Sequence, residues 1–253
     1  MMMWQEKPRI LIATTECAPF WEETPAAQLV AEMPGRLHND YEVRIFMPKY
    51  GLIDDRRWRL HEVKRLSGIT IRVGTMDYAL NVKVASIPGS RTQVYFLDNH
   101  EFWARKGTFY EPQSHTPYPD NDERIVFFSK GVIQVLKKLH WYPQVIHCNG
   151  WMTGLLAVYI RHLLRGDPQL GKTQLLFTNY TSVPGAFFSP TFPEKAKWDN
   201  YIPEVFSVLA GKSYDSLVEV GQSCANIQGN GLSAESWSTC YSQLLNRAPA
   251  QSA

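Results

Sequence analysis

The sequence predicts an α/β protein with a Rossmann-like, mainly parallel sheet and helices on both of its faces. Three observations predict this class. Short apolar segments recur along the 253 residues, several of them are separated by amphipathic helical patterns, and one segment alternates apolar and polar residues like a β-hairpin. The composition, with 44% hydrophobic and 13% aromatic residues, is sufficient for a large buried core.

Short apolar segments form the candidate strands, at residues 10–14, 42–47, 93–97, 144–148, 173–178 and 217–221. Because helical patterns separate several of them, we expect most of the strands to be parallel. A hairpin excursion is expected over residues 67–88, where residues 69–73 and 80–84 alternate and Gly74 and Asp77 lie between them. One face of this hairpin should be exposed to solvent.

The clearest helix is predicted over residues 120–140. Its apolar residues recur at steps of three and four along one stripe, which comprises Ile125, Phe128, Val132, Leu136 and Leu139. Asp120, with Glu123 three residues later, has the spacing of an acidic capping box. A second helix should follow Gly150, and a shorter one is expected near residues 204–211.

Charge and cysteine content exclude several classes of function. The formal net charge is only +2, so we expect no nucleic-acid partner and interpret the basic cluster at residues 56–59 as a solvated surface. The four cysteines have no C-x-x-C spacing, so the sequence predicts neither a metal site nor a redox pair, and no cofactor is expected. No apolar run has the length of a signal-peptide core or a membrane span, which favours a cytoplasmic protein without membrane contact.

Four sequence blocks, in order, resemble motifs of one enzyme family. They are E-C-A-P-F at residues 16–20, F-M-P-K-Y-G-L-I at 46–53, V-Y-F-L-D-N-H-E-F-W-A-R at 94–105, and the pair Y-P-D-N-D-E-R at 118–124 with V-I-H-C-N-G-W-M-T-G at 145–154. They resemble the amino-terminal lobe of bacterial glycogen synthases and plant starch synthases, the retaining glycosyltransferase family 5 enzymes. Any one block is weak, but four in the right order and spacing are specific, and the resemblance covers residues 9–190.

The resemblance implies the two-lobed GT-B architecture, of which this chain corresponds to a single lobe. We expect that lobe to span residues 9–222 and to be followed by a C-terminal helix and a frayed tail at residues 223–253. In that architecture the second lobe contributes most of the nucleotide site, and catalysis occurs between the lobes. The chain is expected to end where that second lobe would begin.

The loop after the first strand departs from the family motif, E-V-A-P-F-x-K-T-G-G-L-x-D, whose lysine and two glycines approach the glucosyl donor. An ungapped alignment places Glu22 at the lysine, Thr24 and Pro25 at the glycines, and Gln28 at the aspartate. Pro25 has no N–H to donate, and Glu22 with Glu23 beside it would repel a diphosphate. We interpret these five residues as a degenerate donor loop, either an ordered acidic rim or, preferably, a mobile exposed loop.

The block at residues 147–152 departs from the family's H-C-H-D-W-H. Met152 replaces the last histidine, which the resemblance implies would touch the transferred glucose, and a thioether is a poor hydrogen-bond acceptor. His147 lies at a strand end and is interpreted as a structural histidine in preference to a base. We therefore predict no catalytic residue in this chain.

The crevice at the strand ends remains, and the resemblance implies substrate contacts there from Glu16, Asp120, Asn121, Trp151 and Thr153. All but Thr153 have an alternative role. Glu16 either contacts sugar hydroxyls or caps a neighbouring helix. Asp120 and Asn121 either hydrogen-bond to sugar hydroxyls or have local roles, with Asp120 capping its own helix and Asn121 completing the first turn. For Trp151, stacking on a sugar ring and core packing are both open, and core packing is favoured.

The sequence is compatible with two functions. The favoured one is a glycogen or starch synthase-like protein of glucan metabolism that is non-catalytic or accessory and binds α-glucan or a partner synthase. The alternative is half of a glucosyltransferase that becomes active with a separate chain supplying the nucleotide-binding lobe.

Overall fold

The computed structural model describes residues 7–229 and 231–246. Its centre is a parallel sheet made by strands that the sequence predicts within a residue or two: β1 (Arg9–Thr14), β2 (Glu42–Pro48), β6 (Gln93–Asp98), β7 (Val145–Asn149) and β8 (Gln174–Thr178). They lie in the order β6-β2-β1-β7-β8. This crossing order, with the first strand in the middle, is that of a Rossmann-like sheet, so the predicted fold class is confirmed.

The hairpin excursion is also confirmed, as β4 (Ile69–Val73) and β5 (Met76–Ser86). The longer strand, β5, pairs antiparallel with β4, with β6 and with the short strand β3 (His61–Glu62). It therefore extends the parallel sheet with an antiparallel edge. At the opposite edge, β9 (Ile227–Gln228) pairs parallel with β8.

Eight α-helices surround the sheet in the part of the chain that the structure describes. Their bounds are α1 Ala26–Leu37, α2 His100–Trp103, α3 Asn121–Leu139, α4 Gly154–Val158, α5 Phe192–Ala196, α6 Glu204–Leu209, α7 Asp215–Cys224 and α8 Ala234–Asn246. A π-helical turn, Tyr159–Leu163, continues α4. Helices α1 and α8 contact each other and the sheet, while α3, α4 and α7 form a second group, so two helical layers enclose the strands.

The prediction of a strand at residues 217–221 is wrong, because this segment lies inside α7. Leu217, Gly221 and Cys224 are its buried residues and follow helical spacing. A Cβ added at Gly221 would lie 2.8 Å from the Cα of Gly154, so a glycine is needed where α7 crosses α4. A short apolar run of this kind does not separate a strand from a buried helix, and contact with α4 decides between them.

The helix predicted over residues 120–140 is confirmed as α3, but its predicted cap is not. Asp120 makes no side-chain hydrogen bond to the first turn, because Arg105 holds its carboxylate. Glu123 likewise points elsewhere and pairs with Lys195 at 2.9 Å. The tail predicted to fray, residues 247–253, lies outside the described residues. No helix within the described ranges is long and apolar enough to cross a membrane.

Candidate functional site

The candidate site lies where β1, β7 and β8 end side by side, with Thr14, Asn149 and Thr178 in register. The side-chain amide of Asn149 donates to the Thr14 hydroxyl at 3.1 Å, and the Thr178 hydroxyl donates to the Asn149 carbonyl at 2.7 Å. The carboxyl ends of parallel strands are where sheets of this kind bind ligands. In this protein the buried side chains of Thr14, Asn149 and Thr178 occupy that edge and hydrogen-bond to one another.

His147 is a structural residue beside these side chains. Its Nδ1 lies 2.7 Å from the Tyr241 hydroxyl and its Nε2 lies 2.8 Å from that of Thr178. Since the Thr178 proton goes to Asn149, Nε2 donates to Thr178 and Nδ1 accepts from Tyr241. Burial lowers the pKa of His147 to about 3. The ring is therefore neutral at pH 7, and both of its nitrogens are already engaged.

Glu16 is fully buried just beyond β1, and its carboxylate holds the loop in front of α1. One oxygen accepts hydrogen bonds from the main-chain N–H of Glu23 at 2.7 Å and of Thr24 at 2.8 Å, and the other accepts from the Thr24 hydroxyl. Thr24 in turn accepts from the N–H of Ala26 at the start of α1. Glu16 therefore contacts the loop that precedes α1 and not the helix itself, whose N-cap, Pro25, has no side-chain hydrogen bond.

The degenerate donor loop, residues 22–25 with Gln28, is held by its own side chains. Glu22 is exposed and accepts a hydrogen bond from Gln28 in the first turn of α1 at 2.6 Å. Glu23 accepts from the Trp21 indole at 3.0 Å and from the Thr108 hydroxyl at 2.7 Å. The acidic loop is thus joined to the segment that follows α2.

Asp120 and Asn121 lie at the start of α3, against residues 105–118, the segment that follows α2. Arg105 donates to both carboxylate oxygens of Asp120, at 2.7 Å for Nη1, and its guanidinium lies 4.7 Å from the centre of the Tyr118 ring. Asn121 is fully buried and donates to the carbonyl of Phe109 at 2.9 Å. These two side chains therefore anchor residues 105–118 onto α3.

Trp151 and Thr153 are fully buried. The Trp151 ring stacks on Tyr214, with centroids 5.4 Å apart and 14° between the planes, and meets Phe109 edge-on at 5.0 Å. Thr153 donates to the carbonyl of Gly150 at 2.7 Å. Neither side chain presents a free face to solvent in this structure.

Of the five predicted substrate residues, Glu16, Asn121, Trp151 and Thr153 are buried and only Asp120 is partly exposed. Phe109 and Tyr214 pack against Trp151. Phe187 is an exposed aromatic residue, with an exposed fraction of 70%. It lies in the loop after β8, next to Phe188, whose ring is 4.6 Å from Tyr214. Phe187 is not among the residues predicted above, although the V-P-G-A-F-F-S-P turn at residues 183–190 indicates an exposed loop with an aromatic residue.

A groove of about 600 Å³ lies away from this edge, at the start of β2 and β6, and its lining includes Lys7, His38, Arg44 and Arg91. None of the predicted site residues contributes to it. Among the described residues, no three His, Cys, Asp or Glu side chains are grouped to hold a metal ion.

These features define a Rossmann-like lobe with its candidate site at the carboxyl edge of a parallel sheet. A family model for the starch synthase catalytic domain matches residues 9–225. The glycogen synthase of Chlorobaculum parvum is 34% identical over 221 residues, which cover 87% of this chain and 44% of that protein. That of Chlorobium limicola is 38% identical over 193 residues, which cover 74% of this chain and 40% of that protein.

Among solved structures, the catalytic domain of starch synthase IV from Arabidopsis thaliana, bound to ADP and acarbose, superposes with a TM-score of 0.63. It is 17% identical in sequence, and the match covers 88% of this chain and 44% of that one, which shows the shared fold. The chain belongs to the starch synthase catalytic domain family and is similar in sequence to glycogen synthases. It spans less than half the length of these relatives.

Proposed function

We propose that this lobe binds α-glucan in a non-catalytic or accessory role and does not itself hold a nucleotide diphosphate. The observation that supports this most directly is that Glu22, Thr24 and Pro25 replace the lysine and both glycines of the family motif, in a loop whose N–H groups are already engaged. Main-chain N–H groups at such a loop are the natural donors to a phosphate. Here those of Glu23 and Thr24 already donate to a carboxylate of the same lobe.

The charge of the loop supports the same proposal. Pro25 offers no N–H, and Glu22 stands where the family motif has a lysine. A diphosphate would meet three carboxylates in this loop region, those of Glu16, Glu22 and Glu23. Each close pair of like charges opposes binding by about 1 kcal/mol in water and by more when it is desolvated. A neutral glucan is not subject to this repulsion.

The glucan is proposed to lie over the strand-end crevice that Glu16, Asp120, Asn121, Trp151 and Thr153 frame. Because most of these side chains are buried, its first contact would be with exposed groups. Phe187 is the aromatic residue proposed for this contact, since it is exposed and adjacent to Phe188, which packs on Tyr214. A synthase chain remains a further partner in this proposal. A cytoplasmic location is proposed with it, since that is where soluble glucan would be available.

Separate titrations with maltoheptaose and ADP-glucose test the proposal. We expect maltoheptaose to bind with a dissociation constant of about 0.1–10 mM, which corresponds to about −5.5 to −2.7 kcal/mol, and ADP-glucose to bind much more weakly. Phe187→Ala should weaken maltoheptaose binding several-fold. Tyr201→Ala is the matched control, since Tyr201 is another exposed aromatic residue, 60% exposed, and should leave the titration unchanged. If ADP-glucose binds more tightly than maltoheptaose, the proposal is wrong.

The second candidate is half of a glucosyltransferase, and it rests on the relatives extending well beyond the matched region. Mixing the protein with a separately produced second lobe from a relative would test it. Glucose transfer from ADP-glucose to glycogen at about 1 per second or faster, absent from either component alone, would favour this candidate.

A further inference from the structure

A cluster of buried hydrogen-bond donors without acceptors lies around Phe109, next to the candidate site. Its members are Arg124, Tyr50, Trp103 and Trp151, here called the Arg124 cluster, and all four are fully buried. The Nε and Nη2 of Arg124, the hydroxyl of Tyr50 and the indole nitrogens of both tryptophans have no hydrogen-bond partner among residues 7–229 and 231–246. Buried polar groups in folded proteins are nearly always paired, so four such side chains together call for an acceptor.

Ring contacts show that the four side chains are neighbours. The guanidinium of Arg124 lies 4.6 Å from the centre of the Trp103 ring and 5.6 Å from that of Phe109. Tyr50 contacts the same two rings, at 5.7 and 6.1 Å, and Trp151 contacts Phe109 at 5.0 Å. Phe109 therefore contacts Arg124, Tyr50 and Trp151, and Trp103 contacts Arg124 and Tyr50.

The free edge of Arg124 is the one that recognises oxyanions. Its Nη1 donates to Asn121 at 2.6 Å, which leaves the Nε and Nη2 side of the fork unused. This fork geometry matches two oxygens of a carboxylate or phosphate group. On the surface of this protein, Arg72 uses the same two nitrogens to hold both oxygens of Asp77, at 2.7 and 2.6 Å.

Charge supports an anion in preference to a neutral acceptor. No carboxylate forms an ion pair with Arg124 within the described part of the chain, and the nearby Asp120 is held by Arg105. Burial lowers the pKa of Arg124 to about 10, so the guanidinium still carries its charge at pH 7. Burial also raises the pKa of Tyr50, which keeps its hydroxyl as a donor. The cluster thus combines one positive charge that has no ion-pair partner among the described residues with O–H and N–H donors.

We propose that the Arg124 cluster is a binding site for a small oxyanion, with inorganic phosphate as its simplest ligand. The Nε and Nη2 edge of Arg124 would bind two of its oxygens, and Tyr50, Trp103 and Trp151 would donate to the remaining acceptor sites. Phosphate free in solution and the phosphoryl group of a sugar phosphate share this chemistry. Residues 104–119 cover the cluster. They would admit inorganic phosphate more readily than a sugar phosphate.

Thermal unfolding at constant ionic strength tests this, because a ligand that binds only the folded state raises the midpoint whatever its route of entry. With sodium chloride replaced stepwise by sodium phosphate, we expect the midpoint to rise by about 2 °C or more for each tenfold increase above the dissociation constant. Parallel scans with glucose 1-phosphate distinguish the two sources. Absence of a rise with either compound would overturn the proposal.

Tyr50→Phe is the decisive variant, since it removes only a hydroxyl that has no protein partner. If the cluster binds phosphate, this variant should require several-fold more phosphate for the same rise in midpoint, and Arg124→Met should show no rise. Arg161→Met is the control, because Arg161 is bonded elsewhere, to Cys224 and Asn226, and it should respond like the unaltered protein. An unchanged phosphate response in Tyr50→Phe and Arg124→Met would place the ligand elsewhere and contradict the proposal.

A second measurement does not depend on whether Arg124→Met folds. In a ¹H–¹⁵N spectrum of the unaltered protein, phosphate should shift the indole N–H signals of Trp103 and Trp151. Those of Trp141 and Trp237 should stay, because they already donate to Glu42 and to the carbonyl of Gly231. Equal shifts in all four signals, or shifts in none, would count against the site.

Discussion

Glu16 and Thr24 are joined by two hydrogen bonds, because the Glu16 carboxylate accepts from both the main-chain N–H and the hydroxyl of Thr24. They are eight positions apart in the chain, and this contact closes the turn between β1 and α1. A carboxylate thus occupies the N–H groups of the loop that the family motif directs toward the glucosyl donor. The contact makes the loop a self-contained structural unit.

Glu16→Gln should destabilise the protein by about 1–3 kcal/mol. An amide has only one acceptor oxygen, and its NH₂ would face donors, so at least one buried N–H of the loop would lose its partner. Urea unfolding followed by circular dichroism measures the change. Glu22→Gln is the control, because its partner Gln28 is also exposed, and it should stay within about 0.5 kcal/mol of the unaltered protein.

Changing Glu22→Lys, Glu23→Thr, Thr24→Gly and Pro25→Gly together should tighten ADP binding by no more than about tenfold. The change removes two negative charges and a proline, but the carboxylate of Glu16 still faces the loop N–H groups. Isothermal titration calorimetry gives the affinity. Adding Glu16→Gln should increase the gain, and micromolar ADP binding by the four-residue variant alone would mean that Glu16 does not oppose the diphosphate.

Trp151→Ala should lower the free energy of unfolding by about 3–5 kcal/mol, since the ring is fully buried against Tyr214 and Phe109. At a temperature where the variant is folded, maltoheptaose binding should change less than twofold. Loss of glucan binding without loss of stability would instead assign the indole to the sugar.

Stability should fall with decreasing pH because of His147. Its folded-state pKa of about 3 lies below its unfolded value near 6.5, so between these values the unfolded state binds more protons. The contribution is complete above pH 6.5 and should decrease by about 2 kcal/mol between pH 7 and pH 5. Urea unfolding at several pH values measures this slope. His147→Gln should flatten it, whereas His61→Gln, at an exposed position, should not.

Gly221→Ala should destabilise the protein by about 1–3 kcal/mol. Its Cβ would lie 2.8 Å from the Cα of Gly154 and 2.9 Å from the Phe177 ring, so α7 would have to move away from α4. Gly35→Ala in α1 is the matched control, because no atom lies within 4 Å of its added Cβ, and it should stabilise the helix by about 0.5–1 kcal/mol. Equal effects of the two changes in thermal unfolding would contradict the α4–α7 contact.

The parts of the fold that were predictable are those with a local signal. Strands β1, β2, β6, β7 and β8 are short apolar runs, β4 and β5 alternate around a turn, and α3 has a long apolar stripe. Each pattern reflects a repeat of two or of about 3.6 residues that burial of one face imposes on the chain. Where the signal was short, at residues 217–221, the prediction was wrong.

The site was less predictable than the fold, because the sequence shows which polar groups are present and not which of them bind each other. Asp120 has the spacing of a helix cap, yet Arg105, fifteen residues earlier, binds its carboxylate. Arg124 belongs to the same motif as Asp120, but nothing in the sequence indicates that two of its nitrogens would be buried without an acceptor. Partners of this kind are set by which segments the sheet brings together.

The sequence by itself therefore determined which segments form the parallel strands and the hairpin excursion. It also determined the family and the altered chemistry of residues 22–25, since each of these depends on residues adjacent along the chain. Only the tertiary structure decided that Glu16 holds the loop, that Trp151 is covered by Tyr214, and that His147 is bonded to Tyr241 of α8. The reason is physical: these contacts join residues distant in sequence, and they form only once the buried sheet has placed its strand ends and helices against one another.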